Sequence, residues 1–323
     1  MRAVVFHEGQ VTTADVPDPE PGDGELLVTV ESAGLNGADL LQLAGNYPPP
    51  PGVPAERPGM EIAGVVRALG RAATRFRIGD AVMGIVPGAG QAELAVIHER
   101  VAMPVPASLT LDVAGGFPEV FVTAHDALVT RGALRSGERV LVTGAAGGVG
   151  TAAVQLAVAI GARVVAEVRA GERRASIAAL GAEAVVGIED AHRLGPYDVI
   201  LELVGAPNLA GDLAALELDG RLVVIGLGGG AQTTIDLRQL LARRARVSGA
   251  TMRNRPLEAK ALVARLVEKQ VLPLVDAGRL RVLVEATYPL DEAAAAYARF
   301  AAGAKVGKVL VHPRADPETA SRT

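Results

Sequence analysis

The sequence predicts an α/β protein in which a compact, mostly β domain precedes a doubly wound parallel sheet. Three observations predict it. From Arg139 onward short apolar runs alternate with helical patterns, the signature of a parallel sheet. In the stretch 139–150, RVLVTGAAGGVG, one such run meets a glycine cluster that opens an alanine-rich helical pattern. The first 120 residues instead carry short β-rich segments punctuated by proline and glycine. A chain of 323 residues suits two domains better than one core.

In chain order, the early β segments are Glu25 to Glu31, Ile62 to Leu69 and Gln91 to Ile97. The PPPPG run, Pro48 to Gly52, cannot pair as a central strand and reads as a stiff loop beside Tyr47. The glycine-rich half then predicts strand 139–144, helix 151–160, strand 163–168, helix 172–180 and strand 184–188. A second set follows, with strands near 198–204, 221–226 and 246–251 and helices near 208–216 and 236–243. Six strands in two halves make a complete doubly wound nucleotide fold. After Leu272 come a strand at Arg281 to Ala286, a helix from Asp291 and a strand at Lys308 to Val311, which we assign to the first domain. The expected division is therefore 1–120 completed by 272–312, a second domain at 121–271, and a polar, disordered tail at 313–323. No repeat of solenoid period is present.

Composition narrows the function. The chain has no cysteine, which removes disulfides, thiolate nucleophiles and cysteine-based zinc sites. A net charge of -4 gives no electrostatic case for nucleic acid or an anionic membrane. No long uncharged apolar run and no basic segment ahead of an apolar one occur, so the expectation is a soluble, cytoplasmic protein. The five histidines, His7, His98, His125, His192 and His312, are scattered without metal-ligand spacing and read as surface or loop residues. His125 is set apart by its place two residues after Thr123, from which it could face a ligand.

The glycine cluster carries the chemistry. Ala145, Gly147 and Gly150 in register give AxGxxG, with Gly148 and Val149 between. Such a loop lets backbone approach a pyrophosphate, and the N–H groups at the start of the following helix favour the anion. A tight strand-to-helix turn without ligand is the alternative. Ligands of such sheets lie at the carboxyl ends of the strands, which nominates Val204 with Gly205 and Gly226 with Leu227; plain turn chemistry explains those glycines as well.

Several phrases then converge on one family: AGLNGADLLQLAGNYPPPPG at 33–52, PGMEIAGVV at 58–66, GDAVMGIVPGAGQAELAVI at 79–97, FPEVFVTAHDAL at 117–128, VTGAAGGVGTAAVQLA at 142–157 and VGKVLV at 306–311. The chain resembles the medium-chain dehydrogenase/reductase superfamily, in particular its zinc-free, zeta-crystallin-like quinone oxidoreductase branch. The resemblance implies a GroES-like substrate domain, a Rossmann domain and NADPH in the cleft between them. Zinc enzymes of this superfamily place a cysteine where this chain has Asn36 and a histidine where it has Met60, and only Val86 to Gly90 stands in place of their structural-zinc lobe. Without a Lewis acid nothing ionises an alcohol at neutral pH, so reduction of an activated acceptor ranks above alcohol oxidation.

The resemblance also assigns roles. Asn36 and Tyr47 correspond to the family's quinone-pocket asparagine and tyrosine, the first as an amide donor to a carbonyl oxygen, the second as a hydroxyl donor or stacking ring. A turn residue and a rim aromatic packed on the prolines are their plainer readings. Asp39 is expected to orient its neighbours. Thr123 resembles the threonine near the nicotinamide amide. Family register puts Val168 where NAD enzymes hold an acidic residue about 20 residues past the loop, followed by Arg169, Arg173 and Arg174, whose guanidiniums suit a 2′-phosphate. Glu167 argues the other way if the register slips by one. Arg253 and Arg255, with Glu56 and Arg57, either shape the acceptor pocket or form surface ion pairs. The strand at 246–251 should lie at a sheet edge and, as often in this family, pair with its twin in a homodimer. The leading expectation is an NADPH:quinone oxidoreductase; the alternatives are an NADPH-dependent enoyl or alkenal (enone) reductase and a non-catalytic NADPH-binding protein.

Overall fold

The computed structural model describes residues 1–169 and 171–314. Ala170 and the bulk of the expected tail, 315–323, lie outside the described residues. The chain divides into two compact units, one of Met1–Glu119, Met252–Gly278 and Val284–Thr323, the other of Val120–Thr251 and Arg279–Leu283. These bounds differ from the expected division in two places: residues 252–271 fall in the first unit and residues 279–283 in the second.

In the first unit β1 (Arg2–His7) and β2 (Gln10–Asp15) form a small antiparallel sheet. The main sheet is built from β3 (Glu25–Gly34), β4 (Glu61–Leu69), β5 (Ala81–Ile85), β6 (Leu94–His98) and β7 (Met103–Pro104). Helix α1 (Gly37–Leu43) follows β3 directly, and α2 (Leu111–Ala114) and α3 (Pro118–His125) close the segment; α3 runs across the boundary between units. The run 48–52 forms no strand, as its prolines require.

The second unit alternates as its sequence predicts. It contains β8 (Arg139–Val142), α4 (Gly148–Ile160), β9 (Arg163–Glu167), α5 (Arg174–Ala178), β10 (Ala184–Val186), α6 (Ile188–Arg193), β11 (Tyr197–Glu202), α7 (Leu209–Ala215), β12 (Leu216–Val224), α8 (Leu237–Arg243) and β13 (Arg246–Gly249). The six strands are parallel in the order β10-β9-β8-β11-β12-β13, the two-halved order of a Rossmann fold, with its switch point between β8 and β11. Leu141, Val165, Tyr197, Ile200, Leu213 and Leu222 fill one layer of core against this sheet; burial on both faces is why these strands read as unbroken apolar runs.

The chain then returns to the first unit through α9 (Leu257–Gln270), α10 (Leu272–Asp276), β14 (Val284–Pro289), α11 (Ala293–Ala301) and β15 (Lys308–His312). The seven-stranded sheet runs β14-β15-β3-β4-β5-β7, with β6 on β3. β15 thus sits between β14 and β3, as completion of the first domain by the C-terminal region requires. Leu26, Val28, Val30, Ile62, Val309 and Val311 pack with Tyr297 of α11 in this unit's core. Among the described residues no helix is long and apolar enough to cross a membrane.

Candidate active site

The glycine loop lies at the carboxyl end of β8. Gly147 caps α4 in an extended conformation, and Gly148, Val149 and Gly150 form the helix's first turn, whose N–H groups have no partner earlier in the helix. A Cβ on Gly150 would stand 2.5 Å from the Gly144 carbonyl oxygen and 2.6 Å from Ala145 Cα, so this glycine serves close helix–strand packing. A Cβ on Gly147 would meet only Gly144 O, at 3.4 Å: here the backbone stays open to a ligand. Ala145 is buried and its N–H donates to the Glu167 carbonyl at 3.0 Å.

Glu167 itself is buried, and its Oε2 accepts the Gly144 N–H at 2.8 Å. Its carboxylate braces the glycine loop through Oε2, while Oε1 is buried without a hydrogen-bond partner among the described residues. Val168 is buried and Arg169 exposed. Arg173, at the entrance to α5, stands 3.7 Å from Glu172, and Arg174 Nε lies 3.5 Å from the Val168 carbonyl.

Two further loops leave the same sheet. Val204 and Gly205 follow β11, and Gly205 has φ +109, which a side chain would strain. Gly226 follows β12, where a Cβ would fall 1.9 Å from Leu203 O. Packing between the loops therefore demands these glycines with or without a ligand; Leu227 beside them is exposed. Thr123 and His125 are buried on α3. His192, expected at the surface, is instead hydrogen-bonded to Asp212 at 2.8 Å. Nothing local in the sequence announces that pair, which lies 20 residues apart.

In the first unit a buried polar cluster surrounds Asn36. Asn36 Nδ2 donates to Glu61 Oε1 at 3.0 Å and to Gly34 O at 3.3 Å, while Oδ1 accepts from Lys308 Nζ at 2.7 Å. Lys308 also contacts Glu61 Oε1 at 2.6 Å, and Glu61 Oε2 accepts the Glu119 N–H at 2.8 Å. Both amide hydrogens of Asn36 are thus already engaged, the longer bond being the one to Gly34. Glu61 and Lys308 lie within the phrases PGMEIAGVV and VGKVLV, each opening its strand, but sequence reasoning assigned neither a role. Asp39 takes the orienting role expected of it, accepting Asn36 N–H at 2.8 Å and Gly59 N–H at 3.2 Å. Burial, the largest influence, pushes its pKa up to about 6.

Tyr47 is partly exposed, with the Arg253 guanidinium 5.3 Å from its ring centre. Arg253 is no surface ion pair. It is buried, donating to Gln42 Oε1 at 2.7 Å and to the carbonyls of Pro87 and Tyr47 at 3.0 and 3.2 Å, and burial lowers its pKa. It ties α1 to two loops. Met60 is buried beside Glu61, and among the described residues no three His, Cys, Asp or Glu side chains are grouped to hold a metal. The donor set at positions 36 and 60, a saturated amide and a thioether, does not suit a catalytic zinc.

Comparison with known proteins agrees with this architecture. A family profile described as an alcohol dehydrogenase GroES-like domain matches residues 22–133, and one described as a zinc-binding dehydrogenase matches residues 148–269. The chain is a medium-chain dehydrogenase/reductase. As an oxidoreductase of that superfamily it is 28% identical over 310 residues to quinone oxidoreductase of Rattus norvegicus, covering 92% of each chain. It is 37% identical over 251 residues to prostaglandin reductase-3 of Bos taurus, covering 73% of this chain and 64% of that one. A mycobacterial protein solved in complex with NADPH superposes with a TM-score of 0.85 at 26% identity, covering 97% of this chain and 100% of its own.

Proposed function

We propose that this protein is a zinc-independent quinone oxidoreductase that draws on NADPH. The observation that carries the reading is the cluster at Asn36. Where zinc enzymes of the superfamily present a thiolate and an imidazole, this chain presents an amide locked by Lys308 and Glu61 and a buried thioether. That set is built to hold a neutral donor in place, which suits reduction of a conjugated carbonyl better than ionisation of an alcohol. A bound reduced nicotinamide supplies the hydride.

The chain's own residues bind and orient. Gly147, Gly148, Val149 and Gly150 cradle the pyrophosphate, with Ala145 behind them; Val204, Gly205, Gly226 and Leu227 line the strand ends, and Thr123 meets the nicotinamide amide. Arg169 and Arg173 take the 2′-phosphate. Tyr47 stacks on or donates to the acceptor, and Asn36 gives up its 3.3 Å bond to Gly34 for the acceptor oxygen. A second reading, NADPH-dependent reduction of enones, is favoured by the 37% identity to the bovine prostaglandin reductase.

The test is anaerobic oxidation of NADPH and NADH against benzoquinone, naphthoquinone, phenanthrenequinone and short enals and enones. Quinone turnover preferring NADPH supports the first reading, and enal or enone turnover alone supports the second. Tight NADPH binding with no turnover on any acceptor makes the protein a non-catalytic binder. In the same assay Arg169→Ala should weaken NADPH by about tenfold or more while leaving NADH almost unchanged, since a charge-assisted bond to phosphate contributes about 1.5–3 kcal/mol. Equal losses for the two cofactors would remove Arg169 from the 2′-phosphate.

We also propose a homodimer. β13 closes one edge of the parallel sheet with Val247 exposed, and Leu237 and Leu241 of α8 are exposed as well, an edge that a second copy would cover. Light scattering at micromolar concentration should give twice the chain mass; a monomer would retire the idea.

A further inference from the structure

Two buried carboxyl groups meet in the second unit, and none of the roles above employs them. Glu202 ends β11 and Asp212 lies in α7, both fully buried. Glu202 Oε1 accepts the Val204 N–H at 2.5 Å and the Gly205 N–H at 2.6 Å, and Oε2 accepts Asn208 Nδ2 at 3.2 Å. The Glu202 carbonyl takes the N–H groups of Ile225 and Gly226 at 2.9 and 3.2 Å. One residue thus ties down both strand-end loops. Asp212 Oδ1 meets His192 Nε2 at 2.8 Å, its Oδ2 is buried without an N–H or O–H donor among the described residues, and the carboxyl lies in hydrogen-bonding reach of Glu202. Two carboxylates so placed in a dry site repel each other when both are ionised, which favours a proton on Asp212.

We infer that a proton shared between Asp212 and Glu202 sets the order of the loop carrying Val204 and Gly205, making both side chains positioning residues for dinucleotide binding. The inference rests on the reading that this loop meets the cofactor. With Asp212 protonated, its O–H satisfies Glu202, whose remaining lone pairs hold the loop N–H groups. With Asp212 ionised, two negative charges face one another and the clamp loosens. The partly exposed His192 ring, on the outer side of Asp212, links the pair to solvent.

The charged groups nearby leave the pair isolated. On α6, Arg193 pairs with Glu189 and Asp190, so only His192 faces Asp212. On β11, Asp198 accepts the Arg139 N–H. On β12, Glu217 accepts the Leu218 N–H, Asp219 pairs with Arg244 at the end of α8, and Arg221 pairs with Glu138. On α8, Arg238 pairs with Asp236 and Arg243 donates to the Ala214 carbonyl. Desolvation is the largest influence on Asp212, raising its pKa from 3.8 to about 7; Glu202 raises it and His192 lowers it. A raised carboxyl holds its proton below that value and releases it above, so the loop should be ordered in mildly acidic solution and loosen as the pH rises past neutrality.

The test is hydrogen exchange at the Val204 and Gly205 amides of the unliganded protein from pH 6 to 8.5, corrected for intrinsic exchange, in wild type, Asp212→Asn and Glu202→Gln. Asparagine at 212 donates to Glu202 at every pH, and glutamine at 202 keeps an acceptor for the loop while donating to an ionised Asp212. Wild-type protection should fall by about tenfold over this range while both variants stay flat, a change equivalent to about 1.4 kcal/mol. A wild-type curve without a step, or variants that follow the wild-type step, overturns the shared proton. If Asp212→Asn does not fold, Glu202→Gln decides alone by the same criterion. The ratio of variant to wild-type Kd for NADPH, in which the ligand's own titration cancels, should drop by a similar factor between pH 6 and 8.5; a constant ratio overturns the link from loop to cofactor. A protein that binds neither NADPH nor NADH fails the functional reading instead, while the exchange data still judge the carboxyl pair.

Discussion

Gly147→Glu should leave the second unit folded and abolish dinucleotide binding. The backbone at 147 has φ -71, open to any residue, and a Cβ there meets nothing closer than Gly144 O at 3.4 Å. A carboxylate at the start of a helix is favourable to the helix itself, so the thermal midpoint should move by no more than about 2 °C, the effect of well under 1 kcal/mol. A pyrophosphate at this terminus would meet both the added bulk and a like charge, weakening NADPH and NADH alike by about a hundredfold or more, or about 2.7 kcal/mol. Calorimetry on the folded variant reads both quantities. Undiminished affinity would mean that the phosphates bind elsewhere. Gly150→Ala makes the contrast: its methyl would lie 2.5 Å from Gly144 O, so this variant should lose stability first and binding as a consequence.

Lys308→Met should cost the first unit about 3–5 kcal/mol, because it leaves Glu61 buried without its cation. For a unit of this size the thermal midpoint falls by about 6–20 °C. The double variant Lys308→Met with Glu61→Gln should recover part of the loss: no charge is stranded, but one of the two oxygens that accept from Asn36 and from the Glu119 N–H becomes a donor. Turnover of the acceptor found in the assay above should drop in the single variant, measured below its melting point, because the Asn36 amide loses the bond from Lys308 that fixes its orientation. A single variant as stable as wild type would show that the cluster holds together without the Lys308 ammonium.

The doubly wound sheet was legible because its strands are buried on both faces and its helices are short and alanine-rich, so the alternation from β8 to β13 survives in one dimension. The glycine loop was legible for a related reason: Gly150 answers a steric demand that falls on neighbouring residues. Helix α9 was not, since an amphipathic pattern says that one face is covered but not by which sheet, and residues 252–271 were therefore expected in the second unit. The surroundings of Asn36 were hidden more deeply. Its amide is saturated by Glu61 and Lys308, 25 and 272 residues away, and long-range polar pairs leave no periodic trace. His192 and Asp212 escaped for the same reason, and Arg253 was ambiguous because an arginine's partners decide whether it is a surface charge or a tie between loops.

The placement of β15 between β14 and β3 has a consequence for how the protein is made. At about 5–20 residues per second, the 272 residues separating Asn36 from Lys308 take about 14–54 s to emerge from the ribosome. For that interval the early strands exist without the neighbour that flanks β3 and without the ammonium that neutralises Glu61. The strands of the parallel sheet, all lying between Arg139 and Gly249, find every partner well before then. The later-synthesised unit is thus free to fold first, while the nascent N-terminal sheet waits with the C-terminal end of β3, at Ala33 and Gly34, lacking its partner strand.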